Sequence, residues 1–93
     1  MRAVAASGRP DQRRLVDLIV RARARAGMSQ QELAQRASVS IGTVRRLCSG
    51  SSPEPGFFVV QRIMAALLVA LHEADERAAA RCEKEYMRIL FPR

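Results

Sequence analysis

The chain has 93 residues, which supports one domain with one modest core and is too small for a large enzyme cleft. Its net charge of +7 lies in residues 1–50, where ten arginines face three acidic residues, whereas residues 72–93 hold five acidic and five basic residues. We therefore expect a polyanion-binding surface in the N-terminal half. A genome biased towards alanine and arginine is the alternative, but it leaves the neutral C-terminal segment unexplained.

The cysteine count and the hydropathy pattern indicate where the protein acts. Cys48 and Cys82 form neither a disulfide framework nor a metal-ligand set, so a reducing compartment fits best. No apolar run typical of a secretion signal precedes Pro10. The longest uninterrupted apolar run, residues 63–71, is far shorter than the ~20 residues that span a bilayer. We expect a cytoplasmic, nucleoid-associated protein with no membrane span and no cofactor.

The N-terminal part of the chain predicts an arm followed by a helix. Residues 1–10 are small and basic, and we expect a flexible arm whose Arg2 and Arg9 either contact DNA or belong to a solvated tail. From residue 11 onward, apolar residues recur at helical spacing until Gly27, which ends the first predicted helix. These apolar positions are Leu15, Leu18, Ile19, Ala22 and Ala26.

Residues 27–50 carry two helix-start signals and one helix-stop signal. Ser29, with Glu32 three residues later, is a capping box in which each side chain satisfies a backbone N–H of the first turn. Ser40 is a second N-cap, and Gly50 can take the left-handed conformation that ends a helix. Only residues 37–39 remain to turn between the two short helices, so the pattern predicts a helix, a tight turn and a second helix.

Several short strings in this stretch occur together: Met28-Ser29-Gln30, Glu32-Leu33-Ala34, Val39-Ser40, Thr43-Val44 and Gly50. With them the chain resembles the phage-repressor (Cro/C1, or XRE) family of helix-turn-helix transcriptional regulators, over about residues 11–71. The resemblance implies an all-α, lambda-repressor-like fold with the DNA-binding domain at 11–71. A separate apolar stripe after His72 predicts a C-terminal packing or dimerisation helix at 72–93, which makes a bundle of about five helices. Two residues depart from the family: Ser38 replaces the usual turn glycine, which adds strain, and Cys48 replaces a frequent glutamate.

The second of the two short helices predicts a basic face for DNA. With Val44 and Leu47 facing the core, a step of about 100° per residue turns Arg45 and Arg46 outward. An arginine fork can donate two hydrogen bonds to guanine, so both are base-reading candidates. Gly42 and Ile41 are two further base-reading candidates, and each has a structural alternative. Gly42 either allows the helix to approach the DNA closely or is a tolerated weak position in the helix. Ile41 either touches a thymine methyl or packs inward against the core. Phosphate contacts are expected from Gln30, Gln31, Ser40, Thr43 and Ser49, of which Gln30 matches the family's phosphate-contacting glutamine and Ser40 is first a cap.

The C-terminal part of the chain is the hardest to predict. Residues 49–56 predict a loop, but residues 57–91 contain neither glycine nor proline. An inward apolar stripe runs from Phe57 to Leu67, and we expect a break near His72 that lets the last segment fold back. A continuous helix would instead favour a dimer. The candidates for a dimer or partner surface are Phe58, Val59, Leu68, Val69, Tyr86, Ile89 and Leu90.

The sequence therefore favours a sequence-specific regulator that binds double-stranded DNA as a homodimer, with helix 41–49 in the major groove. We expect this regulator to be a repressor. The alternative is an antitoxin-like or partner-docking protein that uses the apolar surface of its last two helices. We expect no enzymatic activity, because the sequence has no constellation of nucleophile, base and pocket. We expect no metal site, because His72-Glu73 is followed at the required spacing by Glu76 instead of a second histidine.

Overall fold

The computed structural model describes residues 10–51 and 56–91, and all regular secondary structure in these two ranges is helical, as predicted. The elements are α1 (Pro10–Ala26), α2 (Gln30–Ala37), α3 (Ile41–Ser49), α4 (Phe57–Ala74) and α5 (Glu76–Leu90). The predicted arm, with Arg2 and Arg9, lies outside the described residues.

The first helix packs through the apolar positions that its sequence predicts. Leu18, Ile19 and Ala22 are buried, while Leu15 and Ala26 are partly buried against the same core. Gly27 ends the helix with φ 68°, a conformation that costs glycine little. The loop to α2 is held by Arg23, whose Nη1 donates to the Met28 carbonyl at 2.9 Å.

Helix α4 lies at the centre of the bundle and contacts α1, α2 and α5. Ile63, Met64, Leu67 and Leu71 on its inner side are almost wholly buried, and each such side chain contributes about 1.5–3 kcal/mol of hydrophobic stabilisation. By length and composition alone this helix could also cross a membrane. Its inner face is occupied by the other helices, as in the core helix of a globular domain.

The break between α4 and α5 falls at Asp75, three residues beyond the predicted position. The Asp75 carboxylate caps α5, since its Oδ1 accepts from the N–H groups of Arg77 at 3.0 Å and Ala78 at 3.2 Å. Its Oδ2 lies 3.3 Å from Arg25 Nη2 on α1. The backbone hydrogen bond from Ala78, followed by the bond from Arg25, lowers the pKa of Asp75. The last segment therefore folds back onto its own chain.

Helix α5 packs against α1 and α4, which corrects part of the predicted partner surface. Tyr86 and Ile89, predicted to face a partner, are buried in the core of the same chain, because the fold-back turns their side of α5 towards α4. The Tyr86 hydroxyl donates to Gln61 Oε1 on α4 at 2.8 Å, and burial raises the pKa of this hydroxyl. Burial also raises the pKa of the Cys82 thiol.

The outer side of α4 also differs from the predicted stripe. Phe57, expected to face inward, is 61% exposed because it begins the helix at one end of the bundle. Of the other predicted surface residues, Val59 and Leu68 are half-buried against the core. The exposed members are Phe58, Val69 and Leu90.

Candidate nucleic-acid interface

The start of α2 is set by Ser29, as its sequence predicts. Ser29 has extended backbone angles, φ −75° and ψ 163°, and its Oγ accepts from the Glu32 N–H at 3.0 Å. The glutamate half of the predicted box is directed elsewhere: Glu32 Oε2 lies 3.6 Å from Arg36 Nη2, one turn further along the helix. The serine cap alone therefore fixes where this helix begins.

The turn between α2 and α3 contains the strained residue that the sequence predicts. Ser38 adopts φ 58° and ψ 43°, the one left-handed conformation of a non-glycine residue among the described positions. Its N–H bonds to carbonyls at the end of α2, and the Val39 N–H donates to the Ala34 carbonyl at 3.0 Å. These bonds hold a tight turn at a cost of about 1–2 kcal/mol for the serine backbone.

Helix α3 is fixed at both ends and on its inner face. Ser40 Oγ accepts from the Thr43 N–H at 3.1 Å, so Ser40 is the N-cap that its position predicts. Gly50 ends the helix at φ 76°. Val44 and Leu47 are fully buried, and they anchor the helix to the core so that its opposite face is turned to solvent.

The outward face of α3 is short and basic. Arg45, Arg46 and Ser49 are exposed, whereas Gly42 and Thr43 are half-buried at its edge. Ile41 is also half-buried and packs against the core, which agrees with the inward-packing alternative for this residue. The Ser49 hydroxyl donates to the Arg46 carbonyl at 3.1 Å and so takes part in ending the helix.

The two arginines on this face have different surroundings. Arg46 lies back along the helix, and its Nη2 donates to Thr43 Oγ1 at 3.4 Å. Arg45 has no ion pair or side-chain hydrogen bond within the two described ranges. Both guanidinium groups remain accessible to a ligand in front of α3.

A family model described as a helix-turn-helix domain matches residues 9–80 of this chain. The chain belongs to the helix-turn-helix domain family. The match covers α1 to α4 and the first turn of α5. The chain matches no curated protein and no solved structure. Membership makes the protein a DNA-binding regulator of a family that is typically not enzymatic, with DNA as its partner.

The start of α2 adds polar groups beside α3, the second helix of this helix-turn-helix. Gln30 is half-buried and Gln31 exposed, and both belong to the first turn of α2, where backbone N–H groups have no partner within the helix and Ser29 caps only that of Glu32. That end of a helix favours anions such as a phosphate oxygen. The described residues contain no group of three side chains suited to a metal ion.

Ion pairs decide which arginines of the helix-turn-helix half are available. Arg21 Nη2 lies 2.8 Å from Glu85 Oε2, and Arg25 lies near Asp75 as described above. Arg36 lies near both Glu32 and Glu73, at 3.6 and 4.0 Å. The acidic residues of the C-terminal segment thus neutralise arginines of α1 and α2, away from the exposed face of α3.

A count of charge by halves of the chain does not show these ion pairs. The partners Arg21 and Glu85 are 64 positions apart, and only the fold-back of α5 brings them together. The sequence contains one indication of these pairs: residues 72–93, whose charges balance, are also the only part of the chain rich in acidic residues. Each exposed pair contributes at most about 1 kcal/mol, so their main effect is on the distribution of charge.

Proposed function

We propose that this protein is a sequence-specific transcriptional regulator of the Cro/C1 (XRE) type, and a repressor, that inserts α3 into the major groove of double-stranded DNA. One observation carries the proposal: Arg45 and Arg46 are exposed on the face opposite Val44 and Leu47, in the second helix of the motif. Regulation requires only that the protein occupies its DNA site. In this proposal the protein is cytoplasmic and associated with the nucleoid.

The roles within the interface follow from side-chain chemistry. Arg45 and Arg46 donate to base edges, and Gly42 lies on the side of α3 that approaches the bases. Ile41 packs partly inward, so only the part that the core leaves exposed is available to a thymine methyl. Phosphate oxygens accept hydrogen bonds from residues around the two helix starts and the end of α3, and Arg2 and Arg9 of the arm add charge contacts. The proposed phosphate contacts are Gln30, Gln31, Ser40, Thr43 and Ser49.

A pair of arginine variants tests the assignment of α3. Arg45→Ala removes one base-reading fork, and we expect affinity for the DNA upstream of the protein's own gene to fall by about 1–3 kcal/mol, or roughly 5- to 150-fold. Arg88→Ala is the matched control, because Arg88 is an exposed arginine of α5 without an ion pair among the described residues. It should change affinity far less. Equal losses in the two variants, measured by fluorescence anisotropy, would mean that α3 supplies only bulk charge.

We also propose that the regulator binds as a homodimer, through one end of the α4–α5 hairpin. The Tyr86–Gln61 hydrogen bond fixes how the two antiparallel helices lie side by side. One turn further on each helix come Phe57 and Leu90, which therefore lie next to each other. We define the terminal apolar patch as these two residues with their neighbours Phe58 and Phe91, all of them exposed.

The size of the terminal apolar patch supports a weak dimer. The Phe57 and Phe58 rings stand edge to face with centroids 5.5 Å apart, and Phe58 and Phe91 are 75% and 66% exposed. At 150–250 Å² for each aromatic side chain, the patch exposes about 400–500 Å². Two patches would bury at most about 800–1,000 Å², which is below the ~1,200 Å² at which stable interfaces begin. Binding to two half-sites about 34 Å apart would then stabilise the dimer.

Sedimentation equilibrium tests the homodimer. Phe58→Ser should shift the protein to monomer at concentrations where the unmodified chain associates. Val69→Ser, which removes another exposed apolar side chain three turns further along α4, should not. A chain that stays monomeric at every accessible concentration would contradict the homodimer.

A protein-interaction role is the second candidate function, and the same exposed aromatic residues favour it. In that case the terminal apolar patch would take a different protein, as an antitoxin or docking factor does. A strict monomer in solution that fails to bind DNA would favour this candidate over the regulator.

A further inference from the structure

The position of Arg46 explains a glycine that the helix itself does not need. Glycine is less favourable than alanine within a helix, yet Gly42 lies in the first turn of α3. A Cβ atom at Gly42 would lie 3.2 Å from Arg46 Nη1, closer than ordinary van der Waals contact. The space above Gly42 is therefore filled by the Arg46 guanidinium.

A chain of hydroxyl groups holds the same guanidinium. Arg46 Nη2 donates to Thr43 Oγ1 at 3.4 Å, and Thr43 Oγ1 lies 2.8 Å from Ser40 Oγ. Because arginine only donates, Thr43 Oγ1 is the acceptor for Arg46, and its own proton is free to go to Ser40 Oγ. Ser40 Oγ also accepts the Thr43 N–H, which leaves the Ser40 proton available for a phosphate oxygen.

We propose that Gly42 and Thr43 determine sequence specificity by positioning Arg46, without contacting a base themselves. They hold its guanidinium over the N-terminal turn of α3, which is the end of a recognition helix that meets base edges. Arg46 is thereby ordered before DNA arrives, so less side-chain entropy is lost on binding. The inference rests on the proposed function and changes the role of Thr43 from a phosphate contact to a positioning residue.

Thr43→Val and Thr43→Ser form a matched pair for the test. Valine keeps the shape of threonine and removes the hydroxyl, whereas serine keeps the hydroxyl. We expect Thr43→Val to lower the ratio of specific to non-specific DNA affinity by about 2- to 10-fold, the cost of ordering one long side chain at binding. Thr43→Ser should retain the ratio. A uniform loss on specific and non-specific duplexes would identify Thr43 as a phosphate contact and overturn the proposal.

A double-mutant cycle shows whether Thr43 acts through Arg46. In an Arg46→Ala background, Thr43→Val should have no further effect on the ratio of specific to non-specific affinity, because there is no guanidinium left to position. An undiminished effect of Thr43→Val in that background would overturn the proposal.

Gly42→Ala separates an effect on the position of Arg46 from an effect on stability, because alanine should raise the stability of the fold and lower the base preference. Alanine favours the helix, so the melting temperature should rise by a few degrees, while base preference at the position read by Arg46 should relax. A higher melting temperature with unchanged base preference would remove Gly42 from the proposal.

The positioning can also be measured without DNA, which keeps it distinct from the function. In the free protein, NMR signals of the Arg46 guanidinium should show restricted rotation that is lost in Thr43→Val and kept in Thr43→Ser. Free rotation in the unmodified chain would overturn the positioning alone. Absence of any sequence preference in DNA binding would overturn the proposed function, whatever the NMR result.

Discussion

The strain in the α2–α3 turn gives a prediction whose size can be worked from the structure. Ser38 holds φ 58° and ψ 43°, and this left-handed conformation costs a non-glycine residue about 1–2 kcal/mol. Its side chain is exposed and makes no hydrogen bond among the described residues, so Ser38→Gly removes no side-chain hydrogen bond. Glycine gains freedom in the unfolded chain, which offsets about 0.4–1 kcal/mol of the relief. The net expectation is a stabilisation of about 0.5–1 kcal/mol.

Gly50→Ala is the reverse perturbation and the control. Gly50 has φ 76°, and an added Cβ would meet no atom within 4 Å, so the substitution changes only backbone preference. We expect a loss of about 0.5–1 kcal/mol. In thermal unfolding followed by circular dichroism, Ser38→Gly should raise the melting temperature by roughly 2–8 °C and Gly50→Ala should lower it similarly. A Ser38→Gly protein that melts at or below the unmodified temperature would refute the strain argument.

Three further predictions concern α4 and α5. The pKa of Asp75 is lowered in the folded state, so the stabilisation by its carboxylate is complete above the ordinary pKa of 3.8 and is lost as the pH falls through the folded value. Asp75→Asn should therefore reduce the pH dependence of the free energy of urea unfolding in that acid range. An unaltered pH dependence would contradict the role of Asp75 as a cap. Tyr86→Phe should cost about 0.5–1.5 kcal/mol in the same assay, because Gln61 loses its hydrogen bond but can turn to water; a loss above 3 kcal/mol would show a tighter site. Leu67→Ala should lower the free energy of unfolding by about 2–5 kcal/mol, because Leu67 is fully buried in α4. Leu68→Ala should lower it clearly less, because Leu68 is only half-buried. Equal losses would contradict the central position of α4 in the core.

Features that depend on near neighbours in the chain could be predicted from the sequence. Ser29, Ser40 and Gly50 act on backbone groups within a few residues, and all three set helix ends where their types predict. The strain at Ser38 follows in the same way, because a tight turn leaves one residue in the left-handed region whatever its type.

Features that depend on how α5 returns to the bundle could not be predicted. Both sides of α5 carry apolar residues, so periodicity alone does not say that Tyr86 and Ile89 face α4 while Leu90 stays exposed. The break at Asp75 had a local signal, since aspartate is a strong N-cap, but the neighbouring residues favour a helix equally well. The position of the Arg46 guanidinium over Gly42 could not be predicted either, because no residue pattern specifies where a side chain lies.

Selection of bound duplexes from a random pool measures directly whether α3 reads DNA, when the unmodified chain is compared with a double variant that carries Arg45→Ala and Arg46→Ala. We expect the unmodified chain to enrich a palindromic site with guanine in each half-site and half-sites about one helical turn apart, and the double variant to lose this preference. Enrichment of the same site by both proteins, or of no site by either, would contradict the claim that α3 reads DNA.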